Sequence, residues 1–325
     1  MNFKSLLSSG IACALIFGGS VAAAESTYPK NPVRIVSPFA AGGTNDYLAR
    51  LSGKILADEL GGQFVVEQRT GAGGTIGSSA VARSDANGET LLMSSISTHA
   101  VAPFVFANLP FDARKDFTPI SVVATVPLVL VVKSDSEYQT IDDVLKAAKA
   151  NPGDLTYGSP GNGAVPHLAT EMLAGTAGVE FTHVPYRGES NALTDLLGGQ
   201  IDMVFANLPA AISHISAGTL RPLVVSTSKR ASALPDVPTA AEAGITDFEV
   251  DAWYALMGPA GMPDDIVNKI ANAIQKGVSD PKAVELIRGQ GAEPVGNSPA
   301  EFKTYLASEQ EKWSAVVKSS GLTPQ

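Results

Sequence analysis

The chain has 325 residues, 45% of them hydrophobic and 17% charged, with 31 glycines, 21 prolines and a formal charge of −9. This is a globular α/β composition with many tight turns, and it excludes a disordered or fibrous chain. Basic clusters interleaved with aromatics are missing, which speaks against a nucleic-acid binder. The negative balance does not exclude an anionic ligand, because aligned amides act locally while diffuse surface charge is screened within about 8–10 Å.

The N-terminus reads as an export signal. Lys4 precedes an apolar stretch from Leu6 to Phe17, and small residues ending Ala22-Ala23-Ala24 supply an Ala-x-Ala site, with the cut expected near Ala24. The apolar stretch is short for a bilayer span. Cleavage removes Lys4 and no acid, so the charge moves from −9 to −10. The one cysteine, Cys13, lies inside this signal, and Gly10 stands where a lipoprotein signal would carry leucine. A mature chain without cysteine suits an oxidising compartment and excludes thiol catalysis.

Residues 33–36 form a short apolar run that predicts a buried strand, and Leu48, Leu51, Ile55 and Leu56 fall on one helical face. Between them lies Ala40-Ala41-Gly42-Gly43-Thr44-Asn45. The glycines permit a sharp turn, and Thr44 or Asn45 is the expected N-cap. A strand that turns through glycines into a helix leaves N–H groups and partial positive charge facing outward, an anion site made of backbone. Taken alone, the same pattern is an ordinary β-α turn.

A strand over 63–68 leads to Gly71-Ala72-Gly73-Gly74-Thr75-Ile76-Gly77 and a helix through Ala80 and Val81. This loop lacks the Lys-Ser/Thr of a P-loop and the Gly-x-Gly-x-x-Gly spacing, so a nucleotide reading is rejected. The strand 90–95 ends in Ser94, Ser95, Ser97, Thr98 and His99, at the strand end where open α/β sheets place ligands. Residues 119–132 predict a long strand into a second lobe, and Thr140-Ile141-Asp142-Asp143 is a capping box for a helix to Ala150. The strand 155–158 then enters Ser159-Pro160-Gly161-Asn162-Gly163, followed by a helix with Pro166 in its first turn and His167 beside it. This repeats the first device in the second half of the chain. Two such turns facing each other would grip a ligand from both sides.

Further along, strands are expected over 180–186, 201–205, 221–227 and 251–258, and helices over 190–197, 210–217, 263–277, 281–288 and from Ser298 to Val317. Asn207 falls just past the strand 201–205. The alternation implies parallel sheets with right-handed crossovers. Without an interdomain linker in the sequence, crossing strands should join the two lobes.

Enzyme signatures are thin. No Gly-x-Ser-x-Gly elbow or His-Glu-x-x-His occurs, and histidines 99, 167, 183 and 214 lack metal-ligand spacing. His167 is either a packed residue holding the second loop or a direct or water-mediated ligand contact. Arg187 is either a carboxylate clamp or an ordinary salt-bridge partner. Trp253 and Tyr254 read as core or hinge ahead of a ligand platform. Asp46 is a puzzle, since a carboxylate beside an anion site is repulsive; it caps the helix, orients water or faces an ammonium.

The chain resembles the Bug receptor family, the periplasmic solute-binding proteins of tripartite tricarboxylate transport systems. The resemblance rests on Pro38-Phe39-Ala40-Ala41-Gly42-Gly43 with Asp46 and Arg50, Val66-Glu67 to Gly77, Leu109-Pro110-Phe111-Asp112 with Lys115-Asp116-Phe117, and Gly161-Asn162-Gly163 with His167-Leu168-Ala169. It continues through Val184-Pro185-Tyr186-Arg187-Gly188, Leu234-Pro235-Asp236-Val237-Pro238-Thr239 with Glu242-Ala243-Gly244, and Trp253 with Pro259-Ala260-Gly261. Gln68 stands where the family usually has Asn and Met262 where it has Thr, both outside the anion loops.

The resemblance implies an α/β fold of two lobes, a type II-like Venus flytrap with a mainly parallel sheet flanked by helices in each lobe. Residues 25–124 plus 229–325 would form lobe 1 and residues 125–228 lobe 2. It also implies a ligand carboxylate held by amides and ordered waters of loops 39–46 and 159–163, here Phe39, Ala40, Gly42, Gly43, Thr44, Asn45, Asp46, Ser159, Gly161, Asn162 and Gly163. Ser95, Thr98 and Asn207 are the candidates for the distal end. The expected activity is capture of a small mono- or dicarboxylate by a periplasmic monomer serving membrane transporter subunits, with no cofactor, metal or nucleic acid. The alternatives are an exported hydrolase or lyase using His167 with a serine, and a ligand-sensing partner of a membrane kinase.

Overall fold

Short β-branched runs, each cut by glycine or proline and followed by helical spacing, dictate strands alternating with helices. The computed structural model describes residues 28–246 and 248–319 and follows that order; the expected export signal lies outside the described residues. β1 (Val33–Ser37) leads to α1 (Thr44–Leu60), β2 (Phe64–Gln68) to α2 (Thr75–Ala82), and β3 (Thr90–Ser95) through a wide helical turn to α3 (Ala102–Val105). The long β4 (Phe117–Lys133) opens the next part. It is followed by α4 (Ile141–Ala150), β5 (Thr156–Ser159), α5 (Val165–Ala177), β6 (Thr182–Pro185), α6 (Glu189–Leu197), β7 (Met203–Asn207), α7 (Leu208–Ser216) and β8 (Leu220–Val225). β9 (Asp251–Pro259) returns, and α8 (Asp264–Ser279), α9 (Pro281–Gly289), β10 (Glu293–Pro294) and α10 (Pro299–Ser319) complete the chain.

The strands lie in the order β2-β1-β3-β9-β4-β7-β5-β6, with β8 and β10 also bonded to β4. At either end the strands are parallel, β1 with β2 and β3, β5 with β6 and β7. Every antiparallel pairing involves β4 or β9, so the sheet as a whole is mixed. β4 carries the chain from one lobe to the other. Residues 117–127 pair with β9, and residues 128–133 pair with β7 and β8. Its near-continuous apolar run follows from burial on both faces. Pro119 sits at a register shift and Pro127 where the partner changes, the places where a residue without an N–H is tolerated.

One buried core runs through both lobes, from Val33, Ile35 and Leu48 to Tyr157, Leu168 and Phe205; a smaller cluster under α6 and α7 includes Val129, Leu196 and Val204. α10 closes the first lobe, with Trp253 packed edge-on to Phe302 at 5.6 Å and its indole N–H bonded to Glu309. Both capping boxes form, Thr140 with Asp143 and Ser298 with Glu301. The parallel strands β1, β5 and β7 send their C-terminal ends, and the helices that follow, toward one cleft.

Candidate functional site

The cleft is lined by Phe39, Gly43, Thr44, Asn45, Ser95, Ser97, Pro160, Ala164, Pro166, Glu189, Asn207 and Tyr254. Four helices begin there: α1 at Thr44, α5 at Val165, α6 at Glu189 and α7 at Leu208. None of the four is capped by the side chain of its own N-cap residue. Each helix start carries roughly half a positive charge and N–H groups that need acceptors. Both lobes contribute, so the cleft is positive by backbone despite the acidic chain. The expected N-cap, Thr44 or Asn45, is corrected: Gly43 holds that position, and both residues are already helical. Their side chains are drawn elsewhere. Asn45 accepts from Ser37 Oγ at 2.8 Å and donates to the Met93 carbonyl at 2.9 Å, which ties the helix start to β1 and β3.

The acceptor that α1 lacks comes from the other lobe. Glu189, only 5% exposed, accepts through Oε2 from the Thr44 hydroxyl at 3.0 Å and the Thr44 N–H at 3.5 Å. Through Oε1 it accepts from the Asn207 N–H at 2.5 Å and side-chain amide at 2.9 Å. Burial pushes its carboxyl above the usual carboxylate range, while these bonds pull the other way. Ser190 donates to the Ala41 carbonyl at 2.8 Å and reinforces the contact between lobes. Sequence reasoning missed Glu189, along with Ser97, Pro160, Ala164 and Pro166.

The first loop is held open by Asp46. One oxygen accepts from the Gly42 N–H at 3.0 Å and from Arg50 at 3.0 Å, the other from Gln68 at 2.7 Å. The puzzle of a carboxylate near an anion site is thereby resolved: its charge is spent inside its own loop, and it does not line the cleft. Gly42 has φ +81°, a conformation that favours glycine. Ala40 and Gly42 back against the start of α6, where a side chain on Gly188 would strike Ala40.

The second loop folds its donors inward. Gly161 N–H donates to Ser159 Oγ at 3.2 Å and Gly163 N–H to His167 Nδ1 at 3.1 Å. Ser159 Oγ also lies 2.7 Å from His183 Nε2, and His167 stacks on His183 with centroids 4.1 Å apart. Burial lowers both histidines, His183 to about 3 with help from His167. Since Nδ1 accepts, a neutral His167 carries its proton on Nε2. Gly161 and Asn162 oppose Gly73 of the first lobe instead of Gly43. With Arg187 and residues 71–74 they line an adjoining cleft that shares Pro160 with the first. Pro160 and Ala164 are the second-loop residues across from Gly43. Of the distal candidates, Ser95 and Asn207 line the main cleft. Thr98 instead bonds the Ser95 N–H and carbonyl at 3.1 and 3.0 Å.

Residues 48–322 match the family model of the tripartite tricarboxylate transporter family receptor, TctC. The chain belongs to that receptor family. Protein BugT of Bordetella pertussis is 36% identical, over 91% of this chain and 91% of its own length. The R. palustris protein Rpa4515, solved with adipate, superposes with a TM-score of 0.89 at 35% identity, over 92% of this chain and all of its own. MatC from Rhodopseudomonas palustris, solved with bound malate, gives 0.85 at 30% identity, over 89% of this chain and all of its own. As a TctC-type receptor the molecule is a two-lobed binding protein and not an enzyme. Among the described residues no helix is long and apolar enough to cross a membrane.

Proposed function

We infer that this receptor captures a small organic acid, mono- or dicarboxylate, in the cleft between α1, α5, α6 and α7, and passes it to membrane transporter subunits. It works as a periplasmic monomer released by cleavage near Ala24. The observation that carries the reading is the convergence of four helix N-termini, drawn from both lobes, on one cleft. The adipate and malate held by relatives at 35% and 30% identity support the same ligand class. We take the lobe boundaries near residues 124 and 228, so that β4 and the segment after β8 cross between them. Phe39, Gly43, Thr44, Asn45, Ser95 and Asn207 are assigned to ligand contact. Asp46, Ser159, Gly163 and His167 are assigned to holding the two loops.

Charge-assisted hydrogen bonds contribute about 1.5–3 kcal/mol each, and each helix end about 0.3–1 kcal/mol. We expect micromolar affinity, about −8 kcal/mol. Closure over the ligand would present a joint surface of both lobes to the transporter. Titration calorimetry of the exported protein against a panel of mono- and dicarboxylates is the test. One-to-one binding with a raised melting temperature and no turnover is expected; silence across the panel would overturn the reading.

A further inference from the structure

Glu189 makes this cleft unlike a plain anion hole. Its two oxygens already accept from the backbone and side chains of Thr44 and Asn207, so the starts of α1 and α7 are answered by a resident carboxylate. What is left over nearby is one amide oxygen, which only accepts, and one hydroxyl, which accepts or donates. Asn207 Oδ1 and Ser95 Oγ are buried, line the same cleft and, among the described residues, have no hydrogen-bond partner. Gly43 of the first loop packs beside this group, since a Cβ placed there would lie 3.5 Å from Glu189 Cβ and 3.9 Å from its Oε2. A bare carboxylate brought there meets the like charge of Glu189 and the unpaired amide oxygen of Asn207, with only the Ser95 hydroxyl able to donate to it. A guest that also carries an N–H or O–H donor satisfies both.

We propose that Glu189, with Asn207 and Ser95, sets which acids this receptor takes, selecting an acid that carries a hydrogen-bond donor, ammonium or hydroxyl, over the bare acid of the same length. The donor meets Glu189, Asn207 Oδ1 and Ser95 Oγ, and the guest's carboxylate faces the start of α5, where Ala164 and Pro166 line the cleft and the carboxylate would compete with Ser97 Oγ for the Val165 N–H it accepts at 3.0 Å. Asp46, its oxygens already engaged, is not available for that ammonium. The inference rests on the cleft being the ligand site.

The test is calorimetry on the wild-type protein, Glu189→Gln and Ser95→Ala with two matched sets, succinate, malate and aspartate, and adipate, 2-hydroxyadipate and 2-aminoadipate. In the wild type the donor-bearing acids of the set that binds should be at least tenfold tighter than the bare one. Glu189→Gln should narrow that gap to about threefold by strengthening the bare acid, and an ammonium preference should fall further than a hydroxyl preference. Ser95→Ala, whose hydroxyl has no bond to lose, should fold normally and lose part of the gap. Equal affinity for bare and donor-bearing acids in the wild type, or a ranking untouched by both substitutions, overturns the proposal. Binding of all six acids without discrimination would leave the carboxylate cleft standing and remove only Glu189's role. No binding of any of them, to any of the three proteins, would sink the cleft reading and this inference with it.

Discussion

The two glycine turns use the same strand-turn-helix device and treat their hydrogen-bonding groups in opposite ways. The loop around Gly43 is braced from behind by Asp46 and Asn45, and the start of α1 that it leaves bare is answered by Glu189 in the cleft. The loop around Gly161 consumes its amides internally, on Ser159 and His167, and offers the cleft mainly the wall of Pro160, Ala164 and Pro166. A glycine turn thus marks a place where a helix end can be used, and the bracing side chains decide whether it is.

That contrast can be broken most severely at Gly43. Its φ of −90° suits any residue, and the nearest contact for a Cβ is 3.5 Å away. Gly43→Val should therefore fold, while its methyl groups occupy the cleft at about 1–3 kcal/mol, a loss of about 10- to 100-fold in affinity by calorimetry. Unchanged affinity would take the first loop out of the site. Next comes Asp46→Ala, which frees the Gly42 N–H. We expect a stability loss of about 1.5–3 kcal/mol in urea unfolding and about a tenfold loss of affinity. A normal affinity with only the stability loss would mean that the loop shape is set by the glycines alone.

Acid sensitivity should come from two buried histidines, His183 against the second loop and His99 in the turn after β3. His183 and the wholly buried His99 are both pushed down to about 3, whereas in the unfolded chain they titrate near 6.5. Between those values the unfolded state binds more protons, so stability rises with pH and is lost as pH falls, by up to about 1.4 kcal/mol per unit for each histidine. His183→Gln should flatten the fall in melting temperature between pH 6 and 4; an unchanged slope would place the acid sensitivity elsewhere. The smallest effect is expected at Arg187, which faces the adjoining cleft. Arg187→Ala should change affinity by less than about threefold, within the range of a partner outside the site. A large loss would move the ligand into that neighbouring space.

Much of this was legible from residue order, for reasons that are local. Apolar runs such as Val33 to Val36, the two capping boxes and Pro166 in a first turn each fix an element with its neighbours in sequence. The turn Ser97–Val101 and the two-residue β10 were not legible, because a wide helical turn has no composition of its own and so short a strand exists only through its pairing with β4. Glu189 was hidden by a different cause. An acid after glycine at a helix start reads as a complement to its own dipole; that it reaches 145 positions back to Thr44 depends on how the lobes dock. Asp46 was visible and its partner Gln68 was not, since the two meet only once β2 lies beside β1.

β4 is hydrogen-bonded to β9 over its first part and then, without a break, to β7 and β8 on its two edges. The halves of this receptor are therefore not beads on a string that can be expressed apart. Severing the ribbon would strip raw edges on both pieces and split a shared interior. Any gaping motion must be absorbed as torsion spread along that ribbon, most readily at its irregular steps beside Pro119, Val122 and Leu130.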